Sequence, residues 1–482
     1  MLAKLIKKNI QEKKSTVQIL EFQDSIYGMT TYLGEKKFRF LNITKKFDTI
    51  DWNYSENGKL WTYNLTYFEF LSQENSEEFR YLIDDFIDNI EVIKDGLEPF
   101  PISLRGLNWI KYLIQYEIKD NKINNSLYSQ YHLLMSRVEY HLLGNHLLEN
   151  AFSLLFGAYY FQDKKFYAKS KKILLKELDE QILKDGAHFE LSPMYHQLML
   201  YRVLDCINLV KNNDWMNREL LGILTNKAEQ MLGWIDIISY RDGSIPLLND
   251  SANGIAPTTQ ELFAYAKKLE LEIKDIELSE SGYRKFINDN YEMIVDVGQI
   301  GPDYIPGHAH SDTFNFELYV HGKPFIVDTG LSTYENNAQR MSERSTMAHN
   351  TVQIENKEQS EVWGGFRVAN RAKVLDLKES NNNIKATHDG YKKEKIYHTR
   401  KWMCLDNMIV IEDSINKKAE TIARFHFHPI VTKEEILEKL IFKTNDFQIS
   451  TYQYAPKFNT YVEAFLLEIK FEKNLKVEIL LK

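Results

Sequence analysis

Between about residue 75 and residue 270 the apolar side chains return every three or four positions, and beyond about residue 285 they return every second position. A chain with one such switch is not a doubly wound α/β sheet, which requires the two periods to alternate along its length. In EEFRYLIDDFIDNIEVI, residues Phe79, Leu82, Ile83, Phe86, Ile87, Ile90 and Ile93 define one face of an amphipathic helix. Similar stripes run through residues 147–161, 194–210, 220–235 and 262–269 and predict a helical array. After the switch, EMIVDV, FNFELYV, PFIVDTG, NTVQI, KVLDL, MIVIED and LKVEILL read as strands. Phe314, Phe316, Leu318 and Val320 alternate with Asn315, Glu317 and Tyr319, the pattern of a half-buried strand in a sandwich of antiparallel sheets. The polar stretch SESGYRKFINDN, residues 279–290, reads as the linker, so the expected domains are 1–284 and 285–482.

The formal net charge of -8 argues against nucleic acid as a partner and requires any acidic ligand to meet a local basic patch. The 28 Tyr and 27 Phe suit a carbohydrate site, and they suit an aromatic core equally well. Cys206 and Cys404 lie too far apart in sequence to suggest a disulfide framework or a metal cluster. No apolar run has the length of a bilayer span, and MLAKLIKKNIQEKKSTVQ has basic residues without a following apolar stretch. The expectation is a chain without a secretion signal, cytoplasmic on sequence alone, with its oligomeric state undetermined.

Chemistry-bearing residues gather in three places. In GNHLLEN, Asn145, His146 and Glu149 share one edge of a helix start, where capping is the default role. In DGAHFELSPMYHQLML, Pro193 reads as a first-turn residue that places Tyr195 and His196 at a helix N-terminus. A tyrosine there can exchange a proton with a ligand or simply pack with its hydroxyl in water. The third cluster is GHAHSDTFNFELYVHGKPFIVDTGLSTYENN with RSTMAHNTVQI. His308 and His310, two apart, point the same way on an extended segment, while His310, Asp328 and His349 form a His2Asp set suited to zinc or, equally, hydrogen-bonded turn residues. Arg371, in GGFRVANRAKV, is a candidate contact for an acidic sugar. His388, His398, Arg400, His426 and His428 read as structural hydrogen-bonders of the sheets, and Asn249 and Asp250 of PLLNDS as a turn lining the cleft.

Taken in order, GNHLLEN, GAHFELSPMYH, PLLNDS, GHAHSDTFNFELYVHGKPFIVDTG and AHNTVQI resemble the motif series of the heparinase II/III-like polysaccharide lyases, a family that includes heparin, heparan sulfate and alginate lyases. LWTYNLTYFEFL and PISLRGLNWIKYL, with Trp61, Tyr63, Arg105 and Trp109, resemble its N-terminal segment, so the likeness runs from about residue 60 to 430. The resemblance implies an α+β multidomain fold, an incomplete (α/α) toroid followed by an antiparallel β-sandwich. It implies β-elimination on a uronic-acid-containing polysaccharide, which leaves a C4–C5 unsaturated uronate. Asn145 and His146 would neutralise the uronate carboxylate, assisted by Glu149. Tyr195 would be the general acid and a candidate base, and His308 the other candidate base. Arg105, Arg344 and Arg371 would face the acidic substrate, the latter two also as sources of positive charge near the phenol. His310, Asp328 and His349 would hold a structural divalent metal, zinc by ligand type, with no organic cofactor. Members of this family act in the periplasm, which the absent secretion signal puts in question. The competing readings are a hydrolase using Glu149 and Glu190 as opposed carboxylates, and a glycan-binding protein without turnover.

Overall fold

The computed structural model describes residues 17–74, 77–216 and 218–482; the basic start of the chain, as far as residue 16, lies outside them. By packing, the chain forms two units. One comprises Met1–Ile182, Leu198–Leu232 and Gln260–Ile273, and the other Leu183–Gln197, Gly233–Thr259 and Lys274–Lys482. Among the described residues, no helix is long and apolar enough to cross a membrane.

The first unit is helical: α1 (Lys59–Tyr67), α2 (Glu78–Asp88), α3 (Pro99–Gln115), α4 (Asn121–Ser136), α5 (Gly144–Phe161) and α6 (Lys164–Gln181), followed by most of α7 (Pro193–Asn212), α8 (Glu219–Ile238) and α9 (Thr259–Lys268). A small hairpin of β1 (Lys37–Phe40) and β2 (Ile43–Lys46) precedes them. Local chemistry sets the helix starts. Asp120 accepts from the Ile123 amide to cap α4, Asp163 accepts from those of Lys165 and Phe166 to cap α6, and a proline opens α3. Helix α2 keeps its buried stripe of Phe79, Leu82, Ile83 and Phe86 but ends at Asp88, so Ile90 and Ile93 are buried beyond it. Two glycines let neighbouring helices approach. A Cβ on Gly106 would meet the Tyr131 hydroxyl at 2.6 Å and one on Gly157 the Tyr131 ring at 2.7 Å, both inside contact distance.

The second unit is built on antiparallel sheets. One has the order β10-β11-β12-β13-β18-β15, one β16-β17-β14-β7, and one β3-β4-β5-β6. The strands of the first are β10 (Val374–Ser380), β11 (Asn383–His388), β12 (His398–Leu405), β13 (Met408–Ile415), β18 (Asn474–Leu480) and β15 (Leu440–Phe442). Those of the second are β16 (Phe447–Lys457), β17 (Thr460–Phe471), β14 (Thr421–His426) and β7 (Val352–Ile354); those of the third are β3 (Tyr283–Ile287), β4 (Tyr291–Asp296), β5 (Phe316–Val320) and β6 (Lys323–Ile326). A single apolar core draws on all three sheets, with Met293, Phe316, Ile384, Trp402, Phe425 and Ile469 among its members. This is the expected sandwich.

Two expectations need correction. Strand β3 lies inside the stretch read as linker. Its polar residues are absorbed by neighbours, as where Lys285 Nζ donates to the Ser239 carbonyl at 2.6 Å. Strand β5 is buried on both faces rather than one. On the face expected to meet water, Glu317 accepts from Tyr240 Oη and from the Leu247 and Asp328 amides at 3.0–3.1 Å, and Tyr319 stacks on Tyr240 at 3.7 Å. Alternation marks which residues differ in polarity, and hydrogen-bond partners distant in sequence decide which are buried.

Candidate active site

Tyr195 sits in the first turn of α7, where Pro193 opens the helix and Ser192 Oγ accepts from the Tyr195 amide at 3.2 Å. The ring of His308 lies against it, centroid to centroid 3.9 Å and tilted 31°. The Tyr334 hydroxyl donates to the Tyr195 hydroxyl at 3.2 Å. Burial is the largest influence on the Tyr195 phenol and raises it well above its ordinary value, with Asp250 and Glu190 adding to the rise and the Tyr334 hydrogen bond opposing it. The phenol therefore keeps its proton across the working range of pH.

Asp250 is the hub. One carboxylate oxygen is 2.8 Å from His308 Nδ1, the other is 2.8 Å from His310 Nε2, and the Arg340 guanidinium closes on both. Burial by itself raises the Asp250 carboxyl, but the Arg340 charge and the hydrogen bonds from His308, His310 and Arg340 outweigh it and hold the group well below the usual carboxylate range. An ionised Asp250 accepts the Nδ1 proton of His308 and so leaves Nε2 as the basic atom, 3.7 Å from Glu190. His308 lies in a turn rather than on an extended strand, and it and His310 reach the two oxygens of this one carboxylate. Asn249 supports the arrangement from an adjacent left-handed position (φ 55°). Its side chain accepts from the His310 amide at 3.2 Å and donates to the Leu191 carbonyl at 3.0 Å.

Arg344 and Arg340 come from α10 (Ala338–Glu343) and its end. Arg344 is buried and donates to the carbonyls of Ala309, Gly364, Gly365 and Arg367, and burial lowers it to about 10. Gly364 and Gly365 belong to the turn between β8 (Glu361–Trp363) and β9 (Arg367–Ala369). Arg371 donates to the Pro302 carbonyl at 2.8 Å.

The three expected metal ligands lie close to one another. The His310 and His349 rings are 5.2 Å apart, and Asp328 Oδ2 is 2.7 Å from His349 Nδ1. The remaining nitrogens, His310 Nδ1 and His349 Nε2, are buried without a hydrogen-bond partner, the state that imidazole ligands take when their lone pairs are reserved for a cation. Among the described residues, no group of three His, Cys, Asp or Glu side chains is arranged as a complete ligand set.

Other expected site residues belong to the first unit. Asn145 and His146 stand in the first turn of α5, but the helix is capped through the backbone of Leu143 with no side-chain hydrogen bond, so capping does not explain Asn145. His146 is 37% exposed, 3.4 Å from Glu139 Oε1, with its ring 4.5 Å from Phe100. Glu149 is buried and engaged by Arg202 Nε at 3.1 and 3.3 Å. Arg105 is fully buried, bonded to Gln130 and to the carbonyls of Thr66 and Gly96.

Nothing in the sequence marks Tyr334 or Arg340 as site residues, and Asp250 reads there as part of a turn lining the cleft rather than as a hub. Tyr334 lies in the quoted LSTYENN, but nothing local marks it. Asp250 and Arg340 are 90 residues apart, and neither spacing nor period links them.

Two family models match the chain: Heparinase II/III N-terminus over residues 120–270 and Heparinase II/III-like, C-terminal over residues 274–461. A heparin-sulfate lyase of Bacteroides stercoris is 26% identical over 252 residues, covering 45% of this chain and 36% of that protein. One from Pedobacter heparinus is 25% identical over 243 residues, covering 44% and 36%. The match thus spans little more than a third of the length of these curated relatives. Among solved structures, heparinase III is similar with a TM-score of 0.69 at 15% identity, covering 99% of this chain and 89% of that one. A heparan sulfate lyase from Pedobacter heparinus gives 0.59 at 15% identity, covering 99% and 87%. The fold shared with them is a helical toroid followed by an antiparallel sheet domain.

Proposed function

Because the chain belongs to the heparinase II/III-like family, we propose that it is a polysaccharide lyase cleaving a uronate-containing polymer by β-elimination. The observation that carries this reading is the pairing of a protonated Tyr195 phenol with a His308 ring 3.9 Å away whose Nδ1 is engaged by Asp250. His308 Nε2 takes the C5 proton of the uronate, and the electron pair left behind forms the C4–C5 double bond as the C4–O bond breaks. Tyr195 gives its proton to the departing oxygen. No water is consumed. The Tyr334 hydrogen bond occupies an oxygen lone pair of Tyr195 and leaves the Tyr195 hydroxyl proton available for donation.

A C5 proton becomes removable only when the adjacent carboxylate is neutralised, which requires hydrogen-bond donors. By the motif they occupy, Asn145 and His146 take that role. Glu149 is committed to Arg202, which speaks against the hydrolase reading that needs its carboxylate. The orphaned nitrogens of His310 and His349 support a divalent cation held there with Asp328 close by. Such a cation would neutralise buried carboxylate and fix the loops around His310, with no part in proton transfer. Arg340 and Arg344 donate to Asp250 and to carbonyls, so contacts to any sulfate would have to come from other basic residues, and the similarity to heparin-sulfate lyases favours a sulfated uronate polymer.

The test is incubation with heparan sulfate, alginate and a non-sulfated glucuronate polymer while following ultraviolet absorbance of the unsaturated product. Rising absorbance that falls by about 10²-fold or more in Tyr195→Phe is expected. New reducing ends without absorbance would overturn the lyase reading.

A further inference from the structure

The turn between β8 and β9 carries Gly364, Gly365 and Phe366, preceded by Trp363 at the end of β8. Two large aromatic side chains are left open to solvent on this short hairpin, Trp363 at 49% and Phe366 at 39% exposure. Single exposed apolar side chains are ordinary, so what marks Phe366 is its place against His308 rather than its exposure alone. The Phe366 ring does not drift free. Its centroid is 5.9 Å from that of His308 and 5.2 Å from that of Tyr334, edge to face in both cases, and the Arg340 guanidinium lies 5.3 Å from it. The turn is also anchored from beneath, since Arg340 Nε donates to the Gly365 carbonyl at 3.0 Å and Arg344 to those of Gly364 and Gly365 at 3.2 and 3.1 Å. The ring is thus held against His308 and Tyr334 while part of its surface remains open.

A pyranose ring has an apolar face of axial C–H groups that stacks on an aromatic face, and a preorganised platform gains affinity because little is lost in ordering it. We propose that Phe366 forms a sugar-binding platform that stacks one residue of the glycan next to the residue handled by Tyr195 and His308. It rests on the lyase reading for the identity of the glycan as a uronate polymer. The ligand class is a pyranose with an unsubstituted apolar face, so the platform recognises ring shape rather than charge.

The test separates stacking from mere support of His308. In the intact chain, Phe366→Leu keeps apolar bulk against His308 and Tyr334 but offers no ring face, whereas Phe366→Trp keeps one. With hexasaccharides cut from heparan sulfate and from a non-sulfated glucuronate polymer, Phe366→Leu should raise KM about tenfold with kcat within about threefold, and Phe366→Trp should restore KM. A fall in kcat at unchanged KM shows a packing role and overturns the proposal. Binding is read separately by calorimetry in a Tyr195→Phe background, which needs no turnover. Addition of Phe366→Leu should weaken binding about tenfold. No weakening, or no binding of either hexasaccharide, overturns the proposal. Wild-type protein that makes no unsaturated product, yet binds in a Phe366-dependent way, retires the lyase reading and keeps the platform. The Phe366→Trp protein also reports directly, because its fluorescence should shift on adding hexasaccharide, and an unchanged spectrum counts against stacking.

Discussion

Asp250 and Arg340, 90 residues apart, form a fully buried ion pair whose carboxylate also carries the hydrogen bond to His308 Nδ1. The pair makes the orientation of a side chain near solvent depend on a charge inside the fold. In Asp250→Asn an amide replaces the carboxylate, and the Nδ1 contact no longer favours a basic Nε2. Turnover should fall by about 10²-fold or more while KM changes little. The companion Arg340→Ala leaves the carboxylate buried without its counter-ion and should cost about 3–5 kcal/mol of stability. Steady-state kinetics and denaturant melts check the two effects. Normal kcat in a folded Asp250→Asn protein would refute the assignment of His308 as base.

Glu149 tests a different relationship. Its carboxylate and the Arg202 guanidinium are each 4% exposed, and Glu69 and Asp205 also lie within 3.4 and 4.0 Å of Arg202. Glu149→Ala should therefore reveal itself in unfolding, at about 3 kcal/mol because two other carboxylates partly compensate. Substrate affinity of the folded fraction should be kept. A raised KM at unaltered melting temperature would restore Glu149 to the ligand.

Acid should act through the sheet. Asp413 accepts from Arg400 and His398. Burial alone raises its carboxyl, yet the Arg400 charge and the His398 hydrogen bond bring it down to about 2. A depressed carboxylate contributes stability above its unfolded value near 3.8 and loses it as pH falls through about 2. That contribution is on the order of 2 kcal/mol. The stability gap between wild type and Asp413→Asn should be widest near neutral pH and should narrow between pH values of about 4 and 2. A gap independent of pH would show that Asp413 contributes through packing alone.

Metal content can be read without any substrate. Purified protein should carry about one equivalent of a divalent cation, which the double variant His310→Ala/His349→Ala lacks. Chelation should lower the melting temperature of the wild type and leave that of the variant unchanged. Elemental analysis that finds no bound metal in active wild-type protein would exclude the site.

The parts of this fold that showed in the sequence were those set by neighbours a few residues away. Pro193 announced the start of α7, and with it the place of Tyr195, because a first-turn proline needs no partner elsewhere. Strands β4, β5, β6, β7, β10, β13 and β18 appeared as short β-rich runs, whereas the long pair β16 and β17 did not. What stayed hidden was set by long-range pairing. The face of β5 with Glu317 and Tyr319 looked solvated because Tyr240 and Leu247, which bury it, lie some 70 residues away. Strand β3 looked like a linker because its lysine and arginine find their partners only in the folded chain. The Tyr195–His308 pair was legible through motif resemblance, whereas the Asp250–Arg340 support beneath it was not, since an ion pair leaves no periodic trace.

Arg344 grips main-chain oxygens at Ala309, Gly364, Gly365 and Arg367, not the side chains of the segments it ties together. A clasp on the backbone is indifferent to which side chains that backbone bears. Exchanges at hairpin positions that do not touch His308 can therefore accumulate across generations without loosening the clasp, so that preference for one polymer over another can drift while the reaction itself is inherited unchanged.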